Sequence, residues 1–235
     1  MQRNSPLQWL FLAAIVLLYL STRAGGGPFG DPTRLLLTII ALIVAITVHE
    51  FNHAFVAHSL GDPTPKLMGR VTLNPISHLD PIGTLLLFIA GFGWGKPVLF
   101  NPLSLRINPA LGSSLVSVAG PFANVLLAFA LARVLEGTTG LPTIVDRALE
   151  TTLRYNLLLA AFNLVPVPPL DGFGFVLGLL PRPVAAGLAP LATYGPLILI
   201  ALLFLPYLGG PDVIGAVMDP VLRVLASIVL LRPLP

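Results

Sequence analysis

The chain has 235 residues, of which 55% are hydrophobic and 10% charged, with a mean hydropathy of +0.90. Soluble domains carry about 25% charged residues, so the composition excludes an ordinary soluble globule and defines an integral membrane protein. The formal charge of +3 comes from basic residues near the ends of apolar segments and does not point to nucleic acid, and the absence of cysteine leaves only His, Asp or Glu to hold a metal.

In chain order, residues 7–21 form a short apolar run after Arg3. Its length suits a signal peptide, but Ser21-Thr22-Arg23 is a poor cleavage site and more spans follow, so a retained first helix is expected. Residues 24–32, rich in Gly and Pro, form a turn. Further helices are expected at about 33–58, 109–135 and 144–165, followed by apolar stretches at 184–208 and 213–231. Between the second and third helices, 66–75 and 96–106 read as short strands embedded in the membrane. The apolar part of 79–95 is only about a dozen residues, which suits a re-entrant segment better than a span. The expected architecture is a single polytopic all-α membrane domain over 1–235 with about six transmembrane helices. Its core is about 33–175, and its accessory helices are 7–21, 184–208 and 213–231.

The second helix carries His49-Glu50-Phe51-Asn52-His53, an H-E-x-x-H motif, after fourteen residues (35–48) without a charge. One turn apart, His49 and His53 point the same way and can take two corners of a zinc tetrahedron. Glu50 beside them is placed to take a proton from water. A His–Glu pair at hydrocarbon depth is costly and marks a functional site. Two imidazoles are incomplete, because catalytic zinc keeps three protein ligands and one open position. His58, His78, Asp80 and Asp171 are the candidates for the third. His58 is out of phase with His49 and further along the helix. His78 and Asp80 lie in the following loop, where ordinary polar contacts are the alternative. Asp171 follows a proline-rich break after the fourth helix, where the chain can turn a carboxylate inward. Its alternative role is an N-cap, although Gly172 and Gly174 make a poor helix start.

Three patterns occur in order: His49-Glu50-x-x-His53, Gly120-x-x-x-Asn124, and Asn163-x-x-Pro166-x-x-Pro169-Leu170-Asp171-Gly172. Together they resemble the site-2 protease family of intramembrane zinc metalloproteases, over about residues 33–175. The resemblance implies that His49, His53 and Asp171 hold one zinc ion per chain, that Glu50 is catalytic and that Asn163 lines the site. It implies a metalloendopeptidase acting on peptide bonds within or near a membrane helix of another protein, inside the lipid bilayer. The sequence departs from the family in small ways. No PDZ or regulatory domain is evident, Phe173 stands where relatives often have a second Gly, and 79–95 is longer than a minimal core needs.

A shared metal requires the second and fourth helices to run in the same direction, with 109–135 crossing back between them and 79–95 entering and leaving on one side. Lys66, Arg70, Lys96 and Arg106 cluster on the side of the motif and place it toward the cytoplasmic face of the cell membrane. The strands at 66–75 and 96–106 are expected to offer an edge to an unwound substrate. Asn163 is a candidate donor to the oxyanion, and Asn124 is read as a packing and hydrogen-bonding residue beside Gly120. Asp219–Arg223 and Glu150–Arg154 have the spacing of helical ion pairs. Two other functions accommodate part of the pattern. A divalent-metal transporter would explain intramembrane His and Asp, but the acidic residues form no track and Glu50 would have no role. A catalytically silent relative would keep only the binding of membrane helices.

Overall fold

The computed structural model describes residues 31–80 and 95–231. The helix expected at 7–21 and most of the segment expected to be re-entrant lie outside them. Helix α1 spans Pro32–Ser59. Asp31 caps it by accepting the Thr33 N–H at 2.9 Å, and Pro32 occupies the first turn, where no N–H is needed. A single turn, α2, follows at Thr64–Leu67. Helix α3, Pro109–Gly137, starts by the same device as α1, with Asn108 accepting from the N–H groups of Ala110 and Leu111. Then come α4 (Thr143–Asn163), α5 (Asp171–Leu179), α6 (Arg182–Leu188), α7 (Gly195–Phe204) and α8 (Val213–Leu230).

Helix α3 packs against α1, α4 and α5, and α1 packs against α4. The chain directions follow from the pairings. Ala45 and His49 meet Asn124 while His53 meets Val116, so α3 runs against α1. Asp31, Thr33, Arg34 and Leu37 line one pocket with Arg147, Glu150 and Thr151, so α1 and α4 start at the same end and run together. The contact layer is built of small residues. Ala41, Ala45, Ala54 and Ala57 on α1, Ala119 and Ala123 on α3, and Ala160 and Ala161 on α4 are all buried. In lipid, helix association rests on such close backbone approach rather than on apolar burial.

Among the described residues, four stretches are long and apolar enough to cross a membrane: Pro32–Ser59, Pro109–Gly137, Arg182–Leu208 and Val213–Leu230. Helix α4 sits where a span was expected but is not one of the four, because Asp146, Arg147, Glu150 and Arg154 charge it from its first turn to its middle. The stretch 184–208 is not one continuous helix. It is assembled from α6, α7 and two 3-10 segments, with Pro190, Pro196 and Pro206 at the joints.

No strand forms among the described residues, which corrects the expectation for 66–75 and 96–106. One antiparallel bridge, Leu79 to Gly95, stands alone. The cause is local. In Asn74-Pro75 and Asn101-Pro102, each asparagine oxygen accepts the N–H two residues on, from Ile76 and Leu103. Each proline then opens a 3-10 turn, Pro75–Ser77 and Pro102–Ser104. This Asx–Pro chemistry competes with strand pairing and wins.

The loop is tied to the end of α1. The Arg106 N–H donates to Leu60 O at 2.8 Å. Fully buried Asp62 accepts from the Asn101 N–H at 2.6 Å, the Thr64 N–H at 3.0 Å and the Thr64 hydroxyl at 2.7 Å. Burial pushes the Asp62 carboxyl up, but these bonds outweigh it and hold it below the usual carboxylate range. Gly61 turns the chain at φ +116°, and a Cβ there would meet Arg106 Cγ at 2.7 Å. Neither expected ion pair, Asp219–Arg223 or Glu150–Arg154, forms. Arg133 and Glu136 on α3 pair instead, at 2.6 Å. Exposed pairs of this kind contribute little, so spacing alone does not decide among them.

Candidate metal centre

Three ligand atoms from two distant parts of the chain converge. His49 Nε2 lies 3.0 Å from His53 Nε2 and 3.0 Å from Asp171 Oδ2, and His53 Nε2 lies 3.2 Å from the same oxygen. Both imidazoles come from one face of α1, one turn apart. Asp171 is the first residue of α5, which starts at the end of the molecule where α1 and α4 finish. The N-cap of α5 is Leu170, so Asp171 is not a cap and its carboxylate is free to face the histidines. The glycines do not prevent this helix from starting. A Cβ at Gly172 would meet Leu164 O at 2.3 Å, and one at Gly174 would meet Ser117 Oγ at 2.5 Å. Their lack of side chains is what lets α5 seat against the 164–165 backbone and α3, and the seating outweighs their poor helix propensity.

The hydrogen bonds behind the imidazoles set what the front can bind. Asn124 gives its two N–H groups to Ala45 O at 3.0 Å and Asn156 Oδ1 at 2.7 Å. Its oxygen is left facing His49 Nδ1, at 2.7 Å. His53 Nδ1 faces the Val116 carbonyl at 2.6 Å. Both Nδ1 atoms therefore donate, and in the neutral rings both Nε2 atoms carry lone pairs. Two such lone pairs and a carboxylate oxygen pointing at one spot repel each other unless a cation lies among them. The separations match the edges, about 3.3 Å, of a tetrahedron with ligand bonds of about 2.0–2.1 Å. Two nitrogens and a carboxylate suit zinc, and donation from Nδ1 to an oxygen is the usual support of a zinc-bound histidine. The residues fit the metal.

Gly120 closes the inner side. A Cβ on it would lie 2.4 Å from His53 Nε2 and 2.8 Å from His49 Nδ1, so α3 can pass this close only as glycine. The open side is at the carboxylate: the Asp171 side chain is 22% exposed, against 6% for His49. Glu50 follows His49 on α1. Its carboxylate borders Gly95, where a Cβ would meet Glu50 Oε1 at 3.0 Å.

The other candidates stand elsewhere. His58 Nδ1 is 3.4 Å from Asp62 O. His78 is fully buried, with Nε2 2.7 Å from Thr72 O. Among the described residues, only His49, His53 and Asp171 form a group able to hold a metal ion, and neither His78 nor Asp80 joins them. Asn163 bonds its own helix, donating to Leu159 O at 3.0 Å, and its neighbour Leu164 packs on Gly172. Asn52 likewise donates to Val48 O at 2.8 Å. A buried chain runs from His49 through Asn124 and Asn156 to Thr152 O, and sequence spacing alone does not join its members. Its signal was present, since amides inside apolar helices need partners.

Helices apolar enough for a membrane, enclosing a His–His–Asp zinc-type centre with a glutamate in the same H-E-x-x-H turn, define a membrane metalloprotease by class. Comparison with known proteins agrees. The chain is 39% identical over 201 residues to "Putative zinc metalloprotease YwhC" of Bacillus subtilis, covering 81% of this chain and 91% of that one. It is 32% identical over 209 residues to "Putative zinc metalloprotease Rip2" of Mycolicibacterium smegmatis, covering 83% and 81%. It is 30% identical over 181 residues to the protein of the same name from Mycobacterium tuberculosis, covering 74% and 69%. No family model matches the chain and no solved structure matches it. The chain belongs to the family of these zinc metalloproteases, the site-2 protease family.

Proposed function

We propose that this protein is an intramembrane zinc endopeptidase that hydrolyses peptide bonds within or near transmembrane helices of other membrane proteins. The observation that carries the reading is the convergence of Asp171 on His49 and His53 beside Glu50, on a helix that contains an 18-residue stretch of mean hydropathy 2.0. His49 stands about 25 Å from the start of α1 at 1.5 Å per residue, within a hydrocarbon layer of about 30 Å. Exposed Lys66, Lys96 and Arg106 gather at the same end and favour a cytoplasmic orientation in the plasma membrane. The full reading is a polytopic protein of about six spans with a re-entrant segment at 79–95.

Zinc bound by the three ligands would supply Lewis acidity toward a peptide carbonyl and toward water. Glu50 takes the proton from the water that attacks the carbonyl carbon. As the C–N bond breaks, Glu50 returns that proton to the departing amine. Asn163 uses one N–H on Leu159 O and keeps a second for the developing oxyanion. Asn124 and the Val116 carbonyl hold the two imidazoles in the tautomer that presents Nε2.

The test is cleavage of a membrane-helix substrate by the purified protein in detergent. Glu50→Gln is expected to keep its zinc and lose activity on the order of 10³-fold. Equal turnover by Glu50→Gln would reject Glu50 as the base and, with it, the protease mechanism.

A further inference from the structure

Arg70 is 3% exposed, although it lies in a connecting segment, where side chains ordinarily face water. Burying a guanidinium costs several kcal/mol unless its N–H groups are well matched. Here they meet three backbone carbonyls. Nη1 donates to Ser77 O and to Lys96 O at 3.2 Å, and Nη2 to Pro97 O at 3.4 Å. These carbonyls belong to two separate limbs of the chain, 70–80 and 95–106. The limbs are joined again where Lys96 N–H donates to His78 O at 2.7 Å and where Leu79 bridges Gly95. The Arg70 backbone is itself fixed, its N–H donating to Pro65 O at 2.8 Å.

The second limb ends against the site. A Cβ on Gly95 would lie 3.0 Å from Glu50 Oε1, 3.1 Å from Ile46 Cγ2 and 3.2 Å from His78 O. The backbone at 95 is thus wedged between α1 and the first limb, and it forms one wall of the Glu50 carboxylate. A shift of this wall by an ångström would free that carboxylate to turn, and misplacement on that scale can lower a rate about 100-fold.

We propose that Arg70 is a positioning residue for Glu50: its guanidinium clamps the two limbs together and so holds the Gly95 backbone against the Glu50 carboxylate. The positional claim stands on the contacts alone, and its effect on turnover rests on the protease reading above. The hydrogen bonds of the Arg70 guanidinium go to Ser77, Lys96 and Pro97, and none goes to a metal ligand or to Glu50. A planar fork meeting three carbonyls has no equivalent in lysine, which offers a single point charge.

The chain has no cysteine, so a designed pair reports on this contact without background. In the full-length protein carrying Ile46→Cys and Gly95→Cys, mild oxidation is expected to form a disulfide readily. Adding Arg70→Met is expected to slow its formation at least about tenfold, and Arg70→Lys to give an intermediate rate. A parental rate in Arg70→Met, or no cross-link in the parent, overturns the proposal. If Arg70→Met does not fold, the Arg70→Lys rate decides the matter in the same way.

In the cysteine-free protein, zinc content separates positioning from general damage. Arg70→Met and Gly95→Ala are each expected to keep one zinc per chain and to lower kcat about 10- to 100-fold, with KM within about twofold. The Arg70→Met, Gly95→Ala double variant is expected to be no worse than either single one, because both act through the same wall. A zinc-loaded Arg70→Met with parental kcat overturns the link to Glu50. If the parent cleaves nothing, the protease reading fails, and the cross-linking rate still decides whether Arg70 holds residue 95.

Discussion

The site helices and the C-terminal helices contain equally apolar stretches and are built for different surroundings. An 18-residue stretch averages a hydropathy of 2.0 within each of Pro32–Ser59 and Pro109–Gly137, and 2.1 and 2.0 within Arg182–Leu208 and Val213–Leu230. Yet 39% and 44% of the first pair's most apolar windows are buried inside the molecule, against 6% and 17% for the second. Hydropathy therefore reports the solvent a helix needs and says nothing of its neighbours. What separates the pairs is the polar residues. Helices α1 and α3 place His49, His53, Ser114 and Asn124 in the interior, where each is hydrogen-bonded or converges on the metal site. The C-terminal stretches present Leu197, Ile200, Phe204, Val224 and Ile228 outward and bury no polar side chain. The first pair is held by small residues and amides, the second by a shallow apolar contact in which Ala226 and Val229 meet Ala128, Ala132 and Leu157.

This contrast predicts where a substitution of one or a few atoms will be felt. The largest effect is expected at Gly120. Gly120→Ala puts a methyl group 2.4 Å from His53 Nε2, so either the imidazole or the α3 backbone must shift. Zinc affinity, measured by competition with a chelator, should fall by about 100-fold or more; near-parental affinity would show that the helices do not approach as described. Asn124→Ala is next. It removes the acceptor that fixes His49 Nδ1 and takes away the bonds that Asn124 donates to Ala45 O and Asn156 Oδ1. An affinity loss of about 10- to 100-fold is expected, and no loss would detach Asn124 from the metal centre. The smallest effect belongs to the other region. Arg133 ties α3 to the last turn of α8 through Val229 O at 2.9 Å, with Phe129 under its guanidinium and Glu136 beside it. Arg133→Met should lower the thermal midpoint by a few degrees at most and leave zinc affinity unchanged. A loss of zinc in that variant would mean that the two regions are coupled.

Much of the site was readable because covalent spacing dictates it. His49 and His53 are four residues apart on a helix, and no tertiary arrangement can separate them. The carboxylate at 171 was readable because a proline-rich break ends an apolar helix just before it. The partners of the imidazoles were not readable. Asn124 was evident as a polar residue in an apolar helix, but which groups it would face depended on the packing of α1, α3 and α4 together. Strands were not the outcome at 66–75 and 96–106 because the side-chain caps of Asn74-Pro75 and Asn101-Pro102 act within four residues and turn the backbone locally. The start of α5 was misjudged for the opposite reason. Gly172 and Gly174 are unfavourable locally, and only contact with Leu164 and Ser117 explains them. Arg70 carried no motif; its role shows only once the carbonyls of 77, 96 and 97 are brought together.

The most direct measurement is the zinc content of the purified protein beside that of Asp171→Ala and Glu50→Gln. One zinc per chain is expected in the parent and in Glu50→Gln, and essentially none in Asp171→Ala after dialysis against a weak chelator. A full equivalent of tightly held zinc in Asp171→Ala would mean that the carboxylate brought to the two imidazoles from the far side of the sequence is not a ligand.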